Sequence, residues 1–176
     1  MESSYLWILV SDTYVGEKEV EFIVPRCMPR QADMAYVVKS RRRDILMIRR
    51  FLVKQPEQED PYLTREIMVF KLQRNSSVHS EWIEVKSLNG ETLFLGDNHS
   101  TSLSSSEIPG LKPNCIYYTD DYFNDGHYHY KQDGPLDLGL FNMDNGSFEA
   151  HYVKDPSQKQ FPLAIFIMPS FSDNFP

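Results

Sequence analysis

The chain has 176 residues, 41% of them hydrophobic and 13% aromatic, enough to build one core and too apolar for a disordered chain. Its net charge of −7 is the wrong sign for a protein that grips a phosphate backbone through a basic surface, so no nucleic-acid partner is expected. No run approaches the roughly 20 apolar residues of a membrane helix, so no membrane partner is expected either.

In chain order, Tyr5–Val10 is a short apolar run without the preceding basic region of a signal peptide. The expected location is therefore intracellular, cytoplasm or nucleus, with an organelle left open. Tyr5–Ser11 and Glu19–Val24 read as a first pair of strands. Tyr36–Lys39 and Asp44–Val53 read as a second pair joined by Arg41, Arg42 and Arg43. With Arg49 and Arg50, these arginines are the one basic exception in an acidic chain. The tip reads as a solvated turn, with a docking patch for an acidic partner or nucleic acid as the alternative. A polar, Pro-containing loop at Gln55–Pro61 precedes a strand at Glu66–Gln73.

The stretch Trp82–Asn98 reads as strand, tight turn, strand. Asn89-Gly90 is a strong signal for a type I′ hairpin turn, because both central residues need positive φ. Taken as a hairpin, it pairs Val85 with Phe94 and puts Trp82, Leu93 and Leu95 on one face. Ile83, Val85 and Phe94 share the other. Both faces are half apolar, which suits a sheet packed between two others, as in a β-propeller; a sheet with one wet side shows clean alternation instead. A closely packed sandwich is the alternative.

Further strands are expected at Thr92–Leu95, Thr101–Ser104, Ile116–Thr119, Leu138–Met143, Ser147–Tyr152 and Leu163–Met168. No helical period is sustained, and eleven prolines punctuate the chain. A second Asn-Gly turn, Asn145-Gly146, lies 56 residues after the first. That exceeds the roughly 40–50 residues of common propeller repeats, so no sequence repeat is demonstrated.

Candidate chemistry is sparse. The two cysteines, Cys27 and Cys115, are too few for a disulfide framework and read as reduced thiols in or near the core. His127 and His129 would share one face of a strand, but they sit in a Gly-, Asp- and Tyr-rich stretch that reads as a solvated loop. Neither a metal nor a cofactor is expected. Thr119, Asp120 and Asp121 read as strand-end residues whose side chains bond nearby backbone amides. Gly96 and Gly139 read as backbone-shape residues. The serine-rich loop Gly96–Ser106 reads as adaptable strand and loop, with phosphorylation as the alternative. Asn75, Asn98 and Asn145 open N-x-S/T sequons of a kind common by chance. Tyrosines Tyr117 and Tyr118 belong to an aromatic cluster with Tyr122, Phe123, Tyr128 and Tyr130. Alternate tyrosines on a strand must pack inward, so Tyr122, Phe123, Tyr128 and Tyr130 are the expected partner-binding residues.

At this point the residues carry a family likeness. Trp82, Glu84, Val85 and Leu88, then Leu93–Gly96, then Asn98, Ser100 and Ser102, follow one pattern in order. Pro109-Gly110, Pro113-Asn114, Ile116-Tyr117 and Thr119–Asp121 continue it. Asp137, Gly139, Phe141-Asn142 and Gly146-Ser147 close it. This run resembles the C-terminal part of the KIB-type domain of plant F-box proteins, and Ala35–Leu52 resembles its upstream strand pair. The likeness covers roughly Tyr36–Met168.

The resemblance implies an all-β, β-propeller-like fold of antiparallel meander sheets, partial at roughly three to four blades. It implies one domain over residues 1–176, truncated at its N-terminus; members of the family often carry an F-box, and the short, strand-like Met1–Pro25 departs from that, so no F-box is expected here. It implies a non-catalytic protein-interaction domain with a role in substrate recruitment for an SCF ubiquitin ligase. The protein target is unspecified, and a Skp1-type adaptor is doubtful without an F-box. The alternatives are a small ligand- or metal-binding β domain centred on His127 and His129, or a degenerate fragment without function.

Overall fold

Eleven strands and no helix form among the described residues, which are 9–10, 21–22, 30–54, 62–75, 80–96, 99–120 and 137–150 of the computed structural model. The short strands β1 (Leu9–Val10) and β2 (Glu21–Phe22) pair antiparallel, inside the two N-terminal segments expected to be strands. Strands β3 (Met34–Lys39), β4 (Ile45–Lys54), β5 (Tyr62–Arg74) and β6 (Ser80–Val85) form a four-stranded antiparallel meander. Strands β7 (Glu91–Leu95), β8 (Thr101–Ser104), β9 (Cys115–Tyr118), β10 (Gly139–Asn142) and β11 (Ser147–Ala150) form a five-stranded sheet in the order β11-β10-β9-β7-β8. Every pairing is antiparallel except β7 with β9. The expected strand Leu163–Met168 lies outside the described residues. The all-β, propeller-like fold class holds, and the described sheets do not close into a barrel.

Period-two alternation explains both sheets. In the meander it turns Tyr36, Val38, Leu46, Ile48, Ile67, Val69 and Val85 to one face. From the other sheet come Leu93, Leu95, Ile116 and Tyr118, and the two sets share one core with Leu88. Each fully buried aliphatic side chain in this layer contributes about 1.5–3 kcal/mol. The opposite face of the meander also carries apolar side chains: Val37, Met47 and Phe70 make a rung with Glu84 at its end, and Ile45, Met68, Leu72 and Trp82 flank it. Met47, Phe51 and Phe70 on that face are buried. A sheet with two apolar faces is therefore present, as the sequence suggested.

The strands that carried that suggestion, however, are not a hairpin. Leu88–Glu91 does make the expected turn, with Asn89 at φ 54° and Gly90 at φ 86°, closed by the Glu91 N–H donating to Leu88 O at 3.1 Å. Yet β6 pairs with β5, while β7 has β8 on one edge and β9 on the other. Val85 faces Val69, not Phe94, and Trp82 belongs to a different sheet from Leu93 and Leu95. The reason is Asn114, at the start of β9, whose Oδ1 accepts from the N–H groups of Leu88 and Gly90, each at 3.1 Å. Those bonds tie the turn to β9, and with both edges of β7 filled no edge is left for β6.

One β-bulge shapes the site described below. On β5 the register moves from Phe51↔Glu66 to Leu52↔Thr64, leaving Arg65 unpaired. A one-residue slip exchanges the faces of every residue beyond it. Without the bulge, Arg65 would turn into the core and Thr64 outward. With it, Arg65 is exposed, and Thr64 and Tyr62 are buried.

Candidate functional site

The two sheets meet at a buried arginine. Arg50 has no solvent exposure, and its carboxylate partner Asp137 has 4%. Arg50 Nη2 donates to Asp137 Oδ2 at 2.6 Å and to Asp137 O at 3.1 Å. Nη1 donates to Thr119 O at 2.8 Å and to the Tyr36 hydroxyl at 3.1 Å. Nε donates to Thr64 Oγ1 at 2.5 Å, and that hydroxyl donates in turn to Asp137 Oδ2 at 2.6 Å. The guanidinium lies 4.5 Å from the centre of the Tyr118 ring, within cation–π range. A buried charge is tolerated only when paired and hydrogen-bonded, and here the planar fork meets acceptors from both sheets.

This geometry revises the reading of Arg50 as part of a basic surface: the side chain faces inward on β4, and the bulge delivers Thr64 to it. Tyr118 is buried, and burial first, then the Asp137 carboxylate, pushes its phenol far above the ordinary range despite the opposing Arg50 charge. It therefore stays a neutral wall of the site. Gly139 has the backbone role expected of it: it pairs with Tyr118, and an added Cβ would lie 2.5 Å from the Tyr118 hydroxyl oxygen.

Asp120 lies beside this cluster. Its Oδ1 accepts from the Tyr62 hydroxyl at 2.6 Å, both side chains being buried. The bulge on β5 turns Tyr62 inward and so gives Asp120 a tertiary partner that strand-end chemistry did not suggest. Asp121 lies outside the described residues. Thr119 packs at the end of β9, its N–H donating to Leu95 O at 3.0 Å.

Asp120 and Asp137 bracket residues 121–136, which hold Tyr122, Phe123, His127, Tyr128, His129 and Tyr130. All six lie outside the described residues. Both feet of the segment are fixed by buried side chains, Tyr62 at one and Arg50 with Thr64 at the other. The two described tyrosines of the cluster divide as alternation requires: Tyr118 faces the core, and Tyr117 stacks on Phe94 on the opposite face, 4.9 Å between ring centres. Among the described residues no group of three or more His, Cys, Asp or Glu is placed to hold a metal, and no helix is long and apolar enough to cross a membrane.

The remaining candidates are accounted for by packing. Cys115 is a free, fully buried thiol; Cys27 lies outside the described residues. Burial raises the Cys115 pKa, against the opposing pull of Lys112. Because only the thiolate reacts, its alkylation in a Cys27→Ser variant is expected to follow global unfolding. Labelling of the folded protein within minutes at neutral pH would contradict that. The Arg41–Arg43 tip is a turn, as read, but it is not merely solvated. The Arg41 N–H donates to the buried Glu91 carboxylate at 2.9 Å, and Arg41 Nη2 reaches both oxygens of Glu107 at 3.0 Å.

Sequence reasoning missed Arg50, Thr64 and Asp137 as one unit. Asp137 and Arg50 each lie in a stretch that carries the family likeness, but nothing in either says that the carboxylate serves an arginine 87 residues earlier.

Residues 3–142 match the family model described as the KIB1-4 β-propeller. The chain is 28% identical over 117 residues to an Arabidopsis thaliana protein named F-box protein At2g17690, covering 66% of this chain and 23% of that protein. It is 30% identical over 89 residues to F-box protein SKIP23 of the same plant, covering 50% of this chain and 21% of that protein. The chain thus spans less than a quarter of the length of either relative. No solved structure matches it.

Proposed function

We propose a non-catalytic, protein-binding role from one premise: the chain belongs to the KIB1-4 β-propeller family. The relatives are named F-box proteins, and the reading carried to this chain is substrate recruitment for an SCF-type ubiquitin ligase. In such a role the domain supplies affinity and position, and another subunit performs ubiquitin transfer. The observation that carries the reading is the pair of buried clamps at Asp120 and Asp137, which hold both ends of an aromatic-rich segment. A rigid β scaffold that fixes both ends of a segment is a common way to present binding side chains. Tyr122, Phe123, Tyr128 and Tyr130 are the contact residues in this reading, because aromatic side chains give large contact area at low entropic cost.

The test is affinity capture from plant cells with the tagged chain, followed by quantitative mass spectrometry. Reproducible capture of a target is expected, and serine at Tyr122, Phe123, Tyr128 and Tyr130 together is expected to cut it at least ~10-fold, the effect of losing about 1.4 kcal/mol of hot-spot energy. The melting temperature should not move. Target capture unchanged by the four substitutions would reject the loop, and failure to enrich any protein would reject the binding role. Co-purification of Skp1-type and cullin subunits would support the ligase assignment specifically.

A further inference from the structure

We propose that Ser106 is a phosphorylation site and that the Arg41–Arg43 tip receives its phosphate. The tip and the serine loop are far apart in sequence and adjacent in space: Arg41 grips Glu107, the residue after Ser106, in an exposed two-oxygen contact. Arg42 Nη2 lies 3.4 Å from Asn89 O, and the neighbouring Gly90 O accepts from Ser105 Oγ at 2.7 Å. The arginine tip therefore runs alongside Ser104–Glu107.

The serines of this loop differ in availability. Ser102 is buried, and its hydroxyl donates to Glu91. Ser105 is half-buried and committed to Gly90 O. Ser106 is exposed, and among the described residues its hydroxyl contacts only the Ser104 hydroxyl, at 2.8 Å. The tip also has charge to spare. Arg41 is paired with Glu107, and Asp44 with Lys71, while Arg42 and Arg43 are exposed and have no carboxylate partner among the described residues. Arg43 occupies a left-handed conformation at φ 67°, where an arginine is less at ease than glycine. A long cationic side chain at that turn position is a costly choice for a tip that only needs to reverse direction.

The reaction is phosphoryl transfer from ATP by a Ser/Thr protein kinase. A bond forms between Ser106 Oγ and the γ-phosphorus, the bond to the β-phosphate bridging oxygen breaks, ADP leaves, and the hydroxyl proton goes to the kinase base. The product carries up to two negative charges and three acceptor oxygens beside guanidiniums that have no carboxylate partner among the described residues, an arrangement that orders a loop.

Two measurements test this. The chain expressed in plant cells with phosphatases inhibited should carry phosphate at Ser106 by peptide mass spectrometry; complete absence there would overturn the acceptor assignment. Separately, phosphoserine encoded at position 106 should titrate by 31P NMR with a midpoint below the ~6 of a free phosphomonoester. That midpoint should return towards ~6 in the R42Q/R43G variant, in which glycine suits the backbone and folding is preserved. A midpoint the same with and without the two arginines would overturn the cradle.

Discussion

Replacing Asp137 by alanine is expected to cost about 3–5 kcal/mol, because it removes the carboxylate that the fully buried Arg50 guanidinium contacts at 2.6 Å. For a small domain with a total stability of roughly 5–15 kcal/mol, that is a large share of the whole. The measurement is a urea or thermal melt followed by circular dichroism. Asp137→Ala should melt far below wild type, and a change under about 1 kcal/mol would mean that Arg50 finds water or another partner. Buried ion pairs elsewhere are often replaceable by apolar residues at no cost. Here the Arg50→Met, Asp137→Leu pair should remain below wild type. Arg50 also serves the backbone oxygens of Thr119 and Asp137, and each buried acceptor left without a donor costs about 1–3 kcal/mol. Recovery of full stability by the apolar pair would reduce Arg50 to an ordinary ion pair.

Gly139→Ala should destabilise by about 1–3 kcal/mol even though it adds a single methyl group. An added Cβ would lie 2.5 Å from the Tyr118 hydroxyl oxygen, 2.8 Å from its Cζ, and 3.1 Å from the Glu149 carbonyl oxygen. Tyr118 has little room to yield, because its ring is pinned beneath Arg50. In a Tyr118→Leu background the same substitution should cost less, and the double-mutant cycle should return a favourable coupling. Strict additivity of the two changes would place the clash at the Glu149 backbone instead.

Strand existence was legible where turns were chemically marked. Thr101–Ser104 and the β3–β4 pair lie almost where alternation and the arginine tip put them. Strand β5 begins four residues earlier than expected, at Tyr62, because the bulge at Arg65 breaks the period-two pattern that identifies a strand. Partner choice at Asn89-Gly90 was illegible for a different reason. The dipeptide specifies a backbone shape, and the structure has that shape; which edges remain open is decided by Asn114, 25 residues on. The site was least legible of all. A paired Arg-Arg reads as surface, and only the register of β4 reveals that Arg50 faces the core while Arg49 lies on the other side. Thr64 joins it through a one-residue slip that no propensity encodes.

The separation of Arg50 from Asp137 sets a clock for synthesis. All four strands of the meander lie between residues 34 and 85 and pair with their sequence neighbours, so that sheet has its partners as soon as β6 emerges. The carboxylate that pairs with its arginine, Asp137, lies 52 residues past the end of β6. At about 5–20 residues per second, a ribosome takes roughly 3–10 s to make that stretch. For that interval the nascent sheet holds a cation on the face it must later bury, with two carbonyl acceptors also still to come. A charge so placed keeps that face wet and discourages a neighbouring nascent chain from docking there, until the chain's own Asp137 arrives to dismiss the water.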